Sequence, residues 1–356
     1  MIALTIISIF YKKWEKEIFL KYLPILGLSL IFLVSFLFGI GGDDHTFWLG
    51  RIRIHLPFLI LPIVFLSLAP ISKELFVSFH VLLILVLVIV LIGSILYYGF
   101  NFESVQKDLR EGRSVPVPVN HIRLSLMLVY GILMAWWIRD QSEKGKTILF
   151  LSIIFMIIGL HYVAARNGLF AFYILFLIEA YRKFRGYSLF LLMIPILLFL
   201  SVPSFKAKIG YTIFEIKKTI NGQGSGYSSG DRWDSIKDGW KLFKENPFFG
   251  VGTADLKMKM KELNPNKQRL IMPHNQWVNV LAASGIVGAF LFFAGYFAPL
   301  IIPEIFNFLP VRWLYGILTL SMLFESTLDT SDAVGFFLIF LLISVNFKRY
   351  DFSHRR

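Results

Sequence analysis

A chain of 356 residues that is 56% hydrophobic and 17% aromatic but only 17% charged, with a mean hydropathy of +0.67, excludes an ordinary soluble enzyme and places the protein among polytopic membrane proteins. The net charge of +13 does not signal nucleic acid as a partner, because the basic residues sit mostly in short clusters beside apolar runs, the arrangement that orients a membrane protein. The absence of cysteine excludes a disulfide framework and any cysteine-based metal site or nucleophile.

Residues 1–10 are apolar but too few to span a bilayer, and the basic run YKKWEKE follows instead of a cleavage site. No signal peptide is expected there; a shortened or re-entrant first helix is the alternative. Apolar runs near the length that crosses about 30 Å of hydrocarbon predict ten spans, at roughly 22–40, 54–70, 75–98, 121–138, 147–164, 168–182, 187–203, 277–300, 312–328 and 332–347. The expected fold is therefore all-α, a polytopic helical membrane bundle. It divides into an N-terminal bundle of about seven helices (1–204), a large loop (205–276) and a C-terminal bundle of about three helices with a basic tail (277–356).

Lys12, Lys13, Lys16 and Lys21 precede the first span, Arg139, Lys144 and Lys146 follow the fourth, Arg182, Lys183 and Arg185 follow the sixth, and Lys348, Arg349, Arg355 and Arg356 follow the last. With ten spans these clusters share one side, so both termini are expected to be cytoplasmic and the large loop to lie outside. The loop Asn101 to Asn120 and a tight turn at Arg166 share that outer face. No internal repeat or coiled-coil heptad is present.

Between Phe205 and His274 the chain carries thirteen Lys and Arg against seven Asp and Glu, a surplus that favours an anionic ligand. NGQGSGYSSG (221–230) disfavours a packed element. From Asp231, DRWDSIKDGWKLFKENP places Trp233, Ile236, Trp240 and Phe243 at helical spacing, with Asp231 as the expected cap and Pro247 beyond the end. A second short helix is expected over Thr253 to Leu263.

Arg166, in HYVAARNGLF between two apolar runs, is costly at a membrane boundary unless paired or facing water; it is either functional or a snorkelling interfacial arginine. Arg232 sits where a helix N-terminus and a guanidinium both suit phosphate oxygens, or else pairs on the surface with Asp231 or Asp234. His274, in MPHNQW, is the residue type suited to general-base work near neutral pH, or a polar cap of the next span. His121 and Arg123, in VPVPVNHIRLSLM, form a second His/Arg pair at the mouth of the fourth span. They help hold a phosphate or are simply boundary residues. His121, His161 and His274 show no metal-binding spacing, so no metal is expected, and no GxxxxGK[ST] or GxSxG motif occurs.

In order along the chain, AARNG after one span, DRW in the long loop, KENPFFGVG, and PHNQWVNVLAASGIVG entering the next span resemble the O-antigen ligase and polymerase superfamily of bacterial envelope enzymes, over about 160–290. The resemblance implies transfer of a glycan from an undecaprenyl-pyrophosphate donor to an acceptor hydroxyl at the periplasmic face of the bacterial inner membrane, with no cofactor, nucleotide or required metal. It implies His274 as catalytic base, Arg166 and Arg232 as pyrophosphate ligands, and Asn275 beside them in P-H-N. Ala165 and Asn167 depart from the small or Gly neighbours usual around the first arginine, and ten spans are fewer than the twelve common in the family. The implied partners are the lipid-linked glycan, lipid A-core or another glycan acceptor, and membrane lipid around a bundle that holds the polyprenyl tail. Ligase, polymerase and protein glycosylation differ only in acceptor, and all remain open. A lipid-linked glycan transporter is the different class, expecting midspan charges and inverted repeats; Glu325, beside Asp329 and Asp332, is the clearest such charge.

Overall fold

The computed structural model describes residues 20–141, 145–184, 193–221, 227–265 and 272–353. The stretch 1–10, the basic residues Lys12, Lys13, Lys16, Lys144, Arg185, Arg355 and Arg356, and residues 222–226 of the Gly/Ser-rich stretch lie outside them.

A 3-10 helix, Leu23–Leu28, leads into α1, Ser29–Leu37. Then follow α2, His45–Ser67; α3, Lys73–Phe100; α4, Phe102–Arg110; α5, His121–Gln141; and α6, Lys146–Val163. Next come α7, Arg166–Phe184; α8, Met193–Ser201; α9, Pro203–Ile220; α10, Ser228–Glu245; and α11, Leu256–Leu263. The chain ends with α12, Gln276–Phe297; α13, Pro303–Phe306; α14, Leu309–Met322; and α15, Ser331–Ser353. No strand occurs among the described residues, so the protein is an all-α polytopic membrane protein.

Among the described residues, seven helical stretches are long and apolar enough to cross a membrane: Leu20–Leu37, His45–Ser67, Lys73–Phe100, His121–Gln141, Lys146–Val163, Gln276–Ile301 and Ser331–Arg349. They fall on seven of the ten expected spans. The other three take different forms. α7 carries Arg166, Glu179, Arg182 and Lys183, too many charges for a plain span. The run expected at 187–203 is α8, which bends by 106° into α9; Pro203 opens α9 at a position where its missing N–H costs nothing. α14 has only 14 residues, a rise of roughly 21 Å. The interval 205–276 holds the two expected short helices and, in addition, most of α9. α10 starts at Ser228, so Asp231 lies inside its first turn instead of capping it, and the second short helix starts at Leu256.

The chain forms two compact units, one from residues 1–73, 230–312 and 322–356, the other from 74–229 and 313–321. In the second unit α5 is the buried centre, packed by α6 and α7. Leu87 and Leu91 of α3 fill the positions where a side chain on Gly131 or Gly159 would stand. In the first unit α1 packs between α2 and α12, and α15 packs on α2. Arg349, buried at the far end of α15, donates to the carbonyls of Phe65 and Leu68 where α2 ends.

One feature of the first unit shapes everything near the site: α12 is broken at Gly285, whose φ of 63° and ψ of −166° are open to glycine and little else. The segment 247–252 fills the break. The Val251 and Gly252 N–H groups donate to the carbonyls of Ala282 and Ala283, while Ile286 and Val287 donate to those of Pro247 and Phe248. Two carbonyls and two N–H groups freed by the break are thereby paired, as an apolar surrounding requires. A Cβ on Gly285 would stand 2.3 Å from the Phe248 backbone, and one on Gly250 2.4 Å from the Ser284 nitrogen. Gly285→Ala is therefore expected to destabilise the protein by at least about 1–3 kcal/mol, the cost of the backbone conformation alone. Thermal unfolding of the detergent-solubilised variant checks this, with Gly210→Ala, which meets open space, leaving the melting temperature unchanged or raised.

Candidate active site

His274 lies in the short link that enters α12, and three elements of the first unit hold that link. Asn275, in extended conformation, caps α12 by accepting from the Val278 N–H at 3.0 Å and donates to the Leu323 carbonyl at 2.9 Å. Its amide is thus committed at both ends to positioning. The Ser326 hydroxyl donates to the Pro273 carbonyl at 2.6 Å. From α10, the buried Ser235 hydroxyl accepts from the His274 N–H at 3.2 Å and donates to the Arg232 carbonyl at 2.8 Å. Gly239 lets α10 lie against Pro273 and Val278.

These ties bring three side chains together on one buried carboxylate. Glu325 Oε2 is 3.1 Å from His274 Nδ1, and Glu325 Oε1 is 2.8 Å from Arg232 Nη2. The Glu325 side chain is 9% exposed, whereas those of His274 and Arg232 keep 29% and 25%, so the carboxylate is hidden behind two groups that still reach solvent. An ionised carboxylate only accepts, so the contact sets the hydrogen on Nδ1 and leaves the Nε2 lone pair to take a proton. The same carboxylate fixes the Arg232 guanidinium, whose planar fork suits phosphate.

A second polar web fixes the segment that carries Glu325. Arg51 of α2 pairs with Asp329 at 2.6 Å, both largely buried. Asn279 donates to Asp329 and Gln276 donates to it at 3.4 Å, while Gln276 Oε1 accepts from the Leu328 N–H at 2.9 Å. His55 contacts the Leu328 carbonyl at 2.9 Å and Ser35 Oγ at 2.5 Å. α2 and α12 thus clamp residues 327–329, with Ser35 of α1 behind His55.

The remaining sequence candidates belong to the second unit. α6 ends on Ala164 in the left-handed conformation, φ 51°, uncommon for a residue with a side chain. The turn sets Arg166 as the first residue of α7 rather than in the turn itself. Gly168 allows α7 to meet α5, since a Cβ there would lie 2.3 Å from Ser125. Arg166 Nη1 is 3.4 Å from Glu215 of α9, which is fully buried while Arg166 is 39% exposed. His121 opens α5, capped by Asn120, whose side chain accepts from the Ile122 N–H at 2.9 Å; Arg123 is buried, not at an open mouth. His161 contacts the Tyr173 hydroxyl at 2.5 Å. No cluster of three or more metal-ligating His, Asp or Glu occurs among the described residues.

The structure thus joins His274 to Arg232 through Glu325, a residue that sequence reasoning had noticed only as a charge near a span. An acid at the end of an apolar run was the available signal; its partners, 51 and 93 residues away, were not.

Taken together, the apolar helices and the carboxylate-braced His/Arg cluster define a helical membrane protein with a polar site outside its spans. Residues 148–293, less than half of the chain, match the family model Wzy_C, O-antigen ligase, so this stretch is similar to a domain of that family. The match includes Arg166, Arg232, His274 and the 247–252 segment, and leaves out His121, Arg123 and Glu325. The family's members are O-antigen ligases and polymerases, with a lipid-linked glycan and an acceptor as partners in general. No curated protein matches the chain significantly.

Proposed function

We propose that the protein transfers an O-antigen-like glycan from undecaprenyl pyrophosphate to an acceptor hydroxyl, lipid A-core first among the acceptors, at the periplasmic face of the bacterial inner membrane with both termini cytoplasmic. The observation that carries the reading is the His274–Glu325–Arg232 cluster: a base held in a defined tautomer next to a phosphate-binding guanidinium, at the entrance of α12. His274 Nε2 takes the proton of the acceptor hydroxyl as its oxygen attacks the anomeric carbon. The bond from that carbon to pyrophosphate breaks, the electron pair stays on the phosphate oxygen, and Arg232 stabilises the charge that develops there. A single displacement inverts the anomeric carbon, and the proton on His274 passes to water.

Glu325 acts through its two neighbours, as a positioning residue. Glu325→Gln keeps the size but removes the charge and lets the amide offer a hydrogen to Nδ1, which moves the imidazole hydrogen to Nε2. Transfer is expected to fall by at least about tenfold, with Glu325→Asp recovering part of it. Arg166 is proposed as a further phosphate ligand on the resemblance and the family match; Arg166→Ala is expected to weaken donor binding.

Reconstitution of the full chain in lipid with undecaprenyl-pyrophosphate glycan, without ATP or added metal, tests the function. Glycan joined to lipid A-core supports the ligase, and growth of the glycan itself or its attachment to a protein assigns the other acceptors. Donor that binds without ever transferring would replace the enzyme by a transporter.

A further inference from the structure

We infer that α9 lies in the plane of the membrane surface, with its isoleucine face in the hydrocarbon and its lysines on anionic phospholipid head groups. The helix belongs to the second unit and carries two opposed stripes. Ser204, Lys208, Tyr211 and Glu215 recur at the spacing of one helix face and are turned to the protein. The Ser204 hydroxyl donates to the Tyr162 carbonyl at 3.0 Å, and Lys208 donates to the carbonyls of Gly112 and Arg113 at 2.7 and 3.2 Å. Tyr211 fills the space beside Gly112, and the fully buried Glu215 meets Arg166. Ile209, Ile213, Ile216 and Ile220 recur at the same spacing, roughly 140° away round the helix. The last three are 50%, 48% and 78% exposed. A helix that faces water keeps its apolar stripe on the protein and its polar residues outside. In α9 the polar residues are spent on the protein and the isoleucines face out, so whatever covers them is apolar.

The preceding helix identifies that cover. α8, MIPILLFLS, has no charged residue, and its Met193, Ile196, Leu197 and Leu200 are all exposed, as on a helix that stands in lipid. α9 leaves α8 at 106°, with Val202 at the corner, so the lipid-facing surface of one continues onto the other. A helix that departs nearly at a right angle from one standing in the hydrocarbon runs along the membrane surface. Crossing is excluded by charge: Lys206, Lys208, Glu215, Lys217 and Lys218 are too many for 18 residues in hydrocarbon. A basic amphipathic helix with a bulky apolar face is the form that settles at the boundary.

Charge selects the head group. The helix carries four lysines against one acid, and that acid is buried against Arg166, so the charge α9 presents outward is positive. Lys206 and Lys217, both exposed, fall on one flank of the isoleucine stripe, roughly 16 Å apart along the axis. Lys218 lies over the Phe214 ring at 6.0 Å, keeping its apolar stem on the aromatic face. Ammonium groups beside an apolar stripe sit where hydrocarbon gives way to phosphate, and lipids of net negative charge draw them more strongly than zwitterionic ones. Because the opposite face holds Arg166 through Glu215, the seat of α9 also sets the height of Arg166 above the hydrocarbon.

The chain has no cysteine, so single cysteines take a spin label without interference. The test uses the full chain in nanodiscs of phosphatidylethanolamine and phosphatidylglycerol. Nitroxides at Ile213→Cys, Ile216→Cys and Ile220→Cys are expected to relax more with oxygen, which concentrates in hydrocarbon, than with a water-soluble nickel chelate, and all three at a similar depth. Glu262→Cys, exposed on the polar α11, is expected to give the reverse. Greater nickel access at the isoleucine positions, or a depth that increases steadily along the helix, overturns the in-plane seat. Strong coupling between the labels of two chains overturns it in favour of a second copy on this face. The second arm counts the lipids retained by the protein in native mass spectrometry. Wild type is expected to retain phosphatidylglycerol over phosphatidylethanolamine, and the double variant Lys206→Gln/Lys217→Gln to weaken that preference about tenfold. Both lysines are exposed, so the variant keeps its fold. An equal preference in the two proteins overturns the assignment of the head group.

Discussion

His274→Ala is expected to lower glycan transfer by between about 10² and 10⁴, the range set by loss of a positioned general base. Membrane insertion and the melting temperature should change little, because the His274 side chain is partly exposed and the link is held by its backbone and by neighbours: the His274 N–H on Ser235, the Pro273 carbonyl on Ser326, and the Asn275 amide on Leu323. The base role predicts a particular split in kinetics. The chemical rate falls, while affinity for undecaprenyl pyrophosphate, carried by arginine, is retained. Turnover equal to wild type in the purified variant would remove His274 from the chemistry and with it the argument for Glu325.

Asp329→Ala should produce the largest loss of stability among single substitutions near the site. Arg51 and Asp329 face each other at 2.6 Å with side chains only 11% and 10% exposed. Removing one member strands the other charge in a low-dielectric setting, which costs about 3–5 kcal/mol. Asn279 and Gln276 lose an acceptor as well, and both are buried. Glu262→Ala breaks the exposed Lys259–Glu262 pair and serves as the comparison, with no measurable shift expected. The melting temperature of each variant in detergent gives the answer. Since residues 327–329 lead back to Glu325, Asp329→Ala should also reduce transfer, and Asp329→Asn should recover more stability than activity. Equal melting temperatures for Asp329→Ala and wild type would mean that the clamp does not hold this segment.

Seven of the ten apolar runs are legible as membrane-length helices because eighteen or more residues of mostly hydrocarbon side chain leave little alternative. Shorter or more charged stretches were harder. α7 and α14 carry apolar residues in span-like runs, yet charges in one and length in the other set them apart. The helical spacing of Trp233, Ile236, Trp240 and Phe243 was legible, but the true start at Ser228 was not, since Ser and Gly advertise a loop. KENPFFGVG could be recognised as a pattern without its physical reason. That reason is the break at Gly285, about forty residues downstream by sequence and adjacent in space. Glu325 illustrates the general limit: His274 and Arg232 announce their chemistry by residue type, whereas the acid that pairs them is defined only by where the fold puts it.

The break in α12 also bears on the order in which the chain assembles. Without the 247–252 segment, the carbonyls of Ala282 and Ala283 and the N–H groups of Ile286 and Val287 would satisfy one another in a continuous helix, apart from the ends. With the segment docked, the same groups find loop partners in equal number. Docking therefore replaces two intrahelical hydrogen bonds by four to the loop, whose own four groups give up other partners, and the helix can enter the bilayer intact before it opens. The preference for the open form then rests on glycine at 285 and on the apolar contacts of Leu242, Leu256 and Met260 with Ala282 and Ala283. Insertion and completion of the site are separable events, with the second waiting on the arrival of a preceding loop.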